Sequence, residues 1–309
     1  HKAYETWRRK AVEQDAREEQ NKSQKKGQGQ WNLMRSMEKR GQGKPLTALR
    51  RKGKGPRGQP KGSITTDPDE VDERIRKAYG KIYDGNTKVP EKLRDEYLEN
   101  YKDFIFTSVE VEAEPLNGKD LEEAMAGAKE TAAGLDQWTP ADLKLLSPKA
   151  YQAIAEMLKE IEGGKPWPKH MNIARAAFLP KEEVTSMEPL EYRMLLMLPG
   201  IHRMWAKTRL QHLAPWIKQW QLEGMYAGVE GKGAADAVYQ TALRIELSNL
   251  LGEEFAGAAA DIYKRFDQIQ RPLLYGISEK AGMARGILGA YKNFQEEMKV
   301  RNTIGGGLG

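Results

Sequence analysis

Residues 258–269 read AAADIYKRFDQI, and two carboxylates, Asp261 and Asp267, stand six apart around a lysine, an arginine and a phenylalanine. A small apolar run that ends in an aspartate has the pattern of a buried strand whose last residue emerges at a site. The strong chemical use of such a residue is phosphoryl transfer, in which carboxylates hold Mg²⁺ while the metal activates a hydroxyl and steadies the leaving oxygen. Mg²⁺ prefers oxygen ligands, so a chain with no cysteine is compatible with it. The plainer alternative is an aspartate that caps the turn at Tyr263. Other chemistries have less support. The four histidines (1, 170, 202 and 212) lack any paired metal spacing and suit surface or core packing, and no G-x-S-x-G marks a serine nucleophile. Gly231-Lys232-Gly233 lacks the GK[ST] ending of a phosphate loop and follows no predicted strand.

The elements that must position Asp261 are mostly helical. Asp67-Pro68 starts a helix with Val71, Ile75, Ala78 and Ile82 on one face, ended by Gly85. A second helix is predicted over about 90–105, with Leu93, Tyr97, Tyr101 and Ile105 aligned. A third starts near Asn117, and Thr139-Pro140 and Ser147-Pro148 are further N-cap and first-turn pairs. Ile173 to Pro180 and Tyr192 to Leu198 read as two strands of a hairpin. Helices are then predicted over 201–219, 232–250, 271–280 and 283–296, with the opening stretch as a strand among them and an extended segment near 298–302. Trp205, Trp216 and Trp220 fall at helical spacing and suit a core. The expected class is α+β.

Charge is uneven. Between Lys22 and Lys61 there are thirteen Lys or Arg and one acid, Glu38, although the whole chain carries only +6. This Gly- and Gln-rich segment has little apolar surface to offset its ordering entropy and reads as a disordered cationic linker within 1–62. Either it binds phosphates by counterion release, through Lys25, Lys26, Arg50, Arg51 and Lys52, or it is only a solvated connection. The N-terminal residues lack a signal peptide's apolar core, and no apolar run reaches the roughly 20 residues of a membrane span. The expected setting is intracellular, nuclear or cytoplasmic, without membrane association.

Six segments occur in a telling order: GLDQW (134–138), RAAFLPK (175–181), PLEYRMLLML (189–198), RMWAKTRL (203–210), GMYAGVEGKGAADAVYQ (224–240) and DIYKRFD (261–267). Taken together, over about 115–309, the series resembles the fingers and first part of the palm of reverse transcriptases of the non-LTR (LINE-type) retrotransposons. The resemblance implies a right-hand polymerase fold: a helical pre-polymerase linker over 63–112, then a partial reverse transcriptase domain over 113–309. It implies RNA-directed DNA synthesis in the intact protein, with Mg²⁺ or Mn²⁺ as cofactor and with an RNA template, a DNA primer and deoxynucleotides as partners. Asp261 would be the first metal-binding carboxylate, with the Ile262 carbonyl as an added ligand. Phe266 would lie under the incoming sugar, Lys181 and Arg193 would face the triphosphate, and Arg209 and Lys232 would lie along the template–primer. Read without the resemblance, Phe266 suits core packing, Lys181 and Arg193 suit solvated hairpin charges, and Asp267 suits a structural cap.

The sequence departs from the family pattern at several points. Met194 stands where a Pro follows the Arg, Ala133 and Gln137 replace the first Pro and second Gly of a PGxDG-like turn, and Arg265 replaces a small residue before Phe266. The family's second and third carboxylates belong to a [FY]-x-D-D hairpin expected after Gly309, and the chain contains no Asp-Asp pair. One carboxylate cannot hold two metals, so residues 1–309 alone are expected to be inactive. The alternative is a non-catalytic nucleic-acid-binding remnant or domesticated fragment.

Overall fold

The computed structural model describes residues 46–87, 91–181, 187–262, 265–305 and 307–308. They form a mixed α+β structure, mostly helical, with ten α-helices and two small sheets among the described residues. Strands β1 (Leu49–Arg50) and β2 (Ile64–Thr65) make an antiparallel pair. The larger sheet has the order β4-β3-β5-β6, from β3 (Ile173–Pro180), β4 (Tyr192–Met197), β5 (Lys299–Ile304) and β6 (Gly307–Leu308). The expected hairpin is present: Arg175 opposes Met197 and Pro180 opposes Tyr192 in antiparallel register. β5 joins parallel to β3, with Ile173 opposite Lys299 and Arg175 opposite Arg301.

Helix starts follow local capping chemistry. In α1 (Pro68–Thr87), Asp67 Oδ1 accepts the backbone N–H of Asp69 and of Glu70. The helix continues past Gly85, since one glycine near a helix end costs only about 1 kcal/mol. α2 (Glu91–Asn100) is shorter than expected and is followed by a 3₁₀ turn at Lys102–Phe104. Its aligned Leu93, Tyr97 and Tyr101 face solvent, and the buried residue is Leu98, packed against Gly276. A Cβ at residue 276 would collide with the Leu98 side chain, so the missing side chain is what admits it.

α3 (Gly118–Ala126), α4 (Pro140–Leu143) and α5 (Pro148–Glu162) start at Asn117, Thr139 and Ser147, each side chain accepting a first-turn N–H. The helix expected over 201–219 is two helices, α6 (Gly200–His212) and α7 (Ala214–Trp220), divided where Pro215 forces a new first turn. α8 (Ala234–Leu251) ends at Gly252, whose φ of 68° is the left-handed cap. α9 (Arg271–Lys280) and α10 (Arg285–Glu297) lead into β5.

Two apolar clusters hold these elements. The helical one joins Leu121, Leu158, Trp167, Met204, Trp205 and Phe294. Trp205 and Trp216 are buried and Trp220 packs against the cluster, as their spacing suggests. The second cluster lies between α1 and one face of the larger sheet: Val71, Ile75 and Tyr79 against Ala176, Phe178, Tyr192 and Ile304. Leu46 and Leu49 complete it, so residues 46–62 are not a free tether. Burying a leucine contributes about 1.5–3 kcal/mol, enough to order a short basic segment that composition alone marks as disordered. Two side chains bind the sheet to α1: the Tyr79 hydroxyl donates to the Tyr192 carbonyl at 2.9 Å, and Asn302 Nδ2 donates to Asp72 Oδ1 at 2.6 Å. No helix among the described residues is long and apolar enough to cross a membrane.

Candidate nucleic-acid interface

Alternation along the larger sheet separates two faces. Ala176, Phe178, Tyr192, Asn302 and Ile304 turn inward to the second cluster or to α1, and Ala174 is buried. Arg175, Ala177 and Leu179 of β3, Arg193, Leu195 and Met197 of β4, and Lys299, Arg301 and Thr303 of β5 share the other face. Neither apolar cluster includes any of these residues. The three strands contain no acid. Lys181 extends the row beyond β3, where its N–H donates to the Glu191 carbonyl at 3.1 Å. Five cations therefore share one open face, and Lys181, Arg193, Lys299 and Arg301 are exposed. Arg175 and Arg301 are register partners on strands about 4.8 Å apart, an arrangement that costs stability through like-charge repulsion. Arg175 Nε donates to Thr303 Oγ1 at 3.2 Å, which keeps the guanidinium along the sheet.

Sequence reasoning found Lys181 and Arg193 and missed the other three. Their signal exists only in pairing: Arg175 lies at the start of a strand read for its apolar residues, and Lys299 and Arg301 come 124 and 126 residues later.

The turn at GLDQW braces the end of β4. Asp136 Oδ2 accepts the Gly200 N–H at 2.6 Å, at the start of α6, and Gly134 approaches the Leu198 carbonyl so closely that a Cβ would clash. Gln137 has φ of 60°. This left-handed value falls at the position where the PGxDG-like pattern carries glycine.

The carboxylate site is different from what its sequence suggests. Residues 253–262 form neither helix nor strand, and no strand among the described residues pairs with them. Asp261 is exposed, Ile262 is 60% exposed, and Phe266 is 87% exposed in a 3₁₀ turn at Arg265–Gln268. The expected buried strand with an emerging aspartate is therefore absent. An alanine run offers too little apolar area to seat itself without a neighbouring strand. Asp267 instead ties this turn to α1, accepting the Tyr83 hydroxyl at 3.2 Å; burial and this carboxylate push the Tyr83 pKa well above its usual range. No cluster of three or more His, Asp or Glu suited to a metal occurs among the described residues.

Several expected nucleic-acid contacts are committed elsewhere. Arg209, only 3% exposed, makes a two-pronged ion pair with Glu162 (2.7 and 2.5 Å) and donates to the Glu114 carbonyl at 2.8 Å. It fastens α6 to the end of α5. Arg51 is likewise buried, in a two-pronged pair with Glu70 at 2.8 and 2.6 Å. Arg50 is exposed, with Nη1 donating to the Gly62 carbonyl at 3.1 Å. Lys52 is mostly exposed and pairs with Glu188 at 3.0 Å. Lys232 closes its own loop, donating to the Glu223 carbonyl at 2.8 Å over the Tyr226 ring. Lys25 and Lys26 lie outside the described residues.

Of the two settings that suit the histidines, surface and core, His202 takes the core. Its ring stacks on Phe294 at 3.5 Å between centroids, beside Trp167 and Trp205, with neither nitrogen hydrogen-bonded. Burial lowers its pKa to about 3.

No family model matches the chain, and no curated protein is significantly similar to it in sequence.

Proposed function

We propose that this chain contributes the fingers and the first part of the palm to an RNA-directed DNA polymerase of the non-LTR retrotransposon type, and that the open face of β3, β4 and β5 receives phosphates of nucleic acid or of an incoming deoxynucleotide. The observation that carries the phosphate reading is the row of five cations on an acid-free sheet face. Adjacent like charges are costly, and a polyanion relieves that cost. Arg193 and Lys181, singled out from the resemblance, belong to this row. The left-handed Gln137 at a family glycine position is further support. The polymerase reading itself rests on the ordered motifs.

In this reading Asp261 acquires its role only beside further carboxylates, expected beyond Gly309. With an RNA template, a DNA primer, deoxynucleotides and Mg²⁺, residues 1–309 are expected to bind the hybrid and make no DNA. Mg²⁺-dependent extension by this chain would overturn the inactivity. In a longer chain that holds the carboxylate pair, Asp261→Asn should abolish extension and leave hybrid binding unchanged; retained extension counts against the polymerase assignment. The second reading is a nucleic-acid-binding remnant without catalysis, favoured by the exposed position of Asp261, with no metal-suited cluster of acids or histidines among the described residues. It predicts that no C-terminal extension restores synthesis.

A further inference from the structure

Between α1 and the loop that precedes it lies a groove of about 710 Å³. One wall is a stripe of α1 that carries Arg74, Lys77 and Lys81, and the other is the glycine-rich loop with Lys52 and Lys54. Pro56, Ala78, Pro189 and Leu190 supply its apolar lining. Two of its three acids are already committed, Glu70 to Arg51 and Glu188 to Lys52, which leaves Glu73. Lys54, Lys77 and Lys81 are exposed and make no ion pair among the described residues. Arg74 Nε is buried there without a hydrogen-bond partner. The groove is thus cationic, with free ammonium groups on both walls.

We propose that this groove is a second strand-binding site, separate from the open sheet face, which takes the phosphodiester backbone of a single-stranded RNA or DNA segment. The proposal rests on the nucleic-acid reading above and extends it to a surface that reading does not use. Lys77 and Lys81 are one helical turn apart, with Cβ atoms about 5–6 Å from one another, which corresponds to one or two nucleotides of a strand rising about 3.4 Å each. Lys54 closes on the same backbone from the loop, and the prolines and Leu190 lie against sugars. No aromatic side chain lines the groove, so nothing there stacks a base, and binding is independent of sequence.

The test uses the full chain and a fluorescent uridine oligonucleotide, titrated over a range of salt. Lys54→Gln/Lys77→Gln/Lys81→Gln is expected to reduce the slope of log affinity against log salt by about 2, since each single-strand phosphate contact contributes roughly 0.7. Arg193→Gln/Arg301→Gln should reduce it separately, and the two losses should add. In the wild-type chain, bound oligonucleotide should protect Lys77 and Lys81 from acylation. An unchanged slope in the triple variant, absent protection, or equal competition by an oligo-glutamate of the same charge overturns the groove. If only the arginine variant loses binding, the groove fails and the sheet face stands. If only the lysine variant does, the sheet face fails and the groove stands. A wild-type chain that binds no oligonucleotide overturns both.

Discussion

Arg209, Gln137 and His202 show how far a side chain's surroundings decide its role. An arginine in an RL helix segment looks like a template contact in the sequence, yet Arg209 spends its guanidinium on Glu162 and the Glu114 carbonyl. Arg209→Ala strands a carboxylate that is only 11% exposed and should destabilise the fold by about 3 kcal/mol. The check is a denaturant midpoint, and a loss below about 1 kcal/mol contradicts the buried pair. Gln137 holds φ of 60°, a conformation costing a side-chain-bearing residue roughly 1–2 kcal/mol that glycine adopts freely. Gln137→Gly should therefore keep or raise stability, whereas Gln137→Val should lower it. His202 is held neutral, its pKa lowered from 6.5 to about 3. Below pH 6.5 the unfolded chain takes up a proton that the folded chain refuses, so this stability is complete above pH 6.5 and is lost progressively as pH falls toward 3. At pH 5 the loss is about 2 kcal/mol. His202→Phe should remove that part of the acid sensitivity, as read from urea midpoints at pH 7 and pH 5; an unaltered pH dependence contradicts it.

At the scale of elements, local signals were legible and partner-dependent ones were not. Asp67, Asn117, Thr139 and Ser147 start helices where the sequence places caps, because a cap needs only its own first turn. The hairpin of β3 and β4 follows from two apolar runs with a polar connection. Residues 258–262 have the composition of a strand, but a strand needs a neighbour to satisfy its backbone, and none among the described residues supplies one. α2 shows the converse: a regular stripe of Leu93, Tyr97 and Tyr101 faces solvent, while Leu98 is buried because Gly276 leaves room for it. Composition marks the basic loop before α1 as disordered because Leu46 and Leu49 are few in a charged segment, yet both are buried. The candidate interface was half legible: Lys181 and Arg193 come from motifs, whereas Arg175, Lys299 and Arg301 join them only through a parallel pairing between distant strands. α8 carries its own prediction. Val238, Tyr239, Leu247, Leu250 and Leu251 are all more than half exposed, and only Ser248 of this helix is buried. A helix apolar on most sides and left in water should make the chain self-associate as concentration rises. Leu247→Glu/Leu250→Glu should suppress this in light scattering without lowering the thermal midpoint; unchanged association would contradict it.

For the whole molecule, two apolar clusters organise two surfaces. Packing α1 beneath the larger sheet leaves the opposite face bare, and that face collects arginine and lysine from three strands. The chain's charge of +6 understates this concentration of cations. The most direct test of the central claim is the salt dependence of binding to an RNA–DNA primer–template hybrid, comparing the wild-type chain with Arg193→Gln/Arg301→Gln. Each lost duplex phosphate contact removes about 0.9 from the log–log slope, so the account predicts a slope shallower by nearly 2 and weaker binding at moderate salt, with the folded state intact by circular dichroism. Equal slopes and equal affinities for the two proteins would show that the open sheet face does not hold nucleic acid.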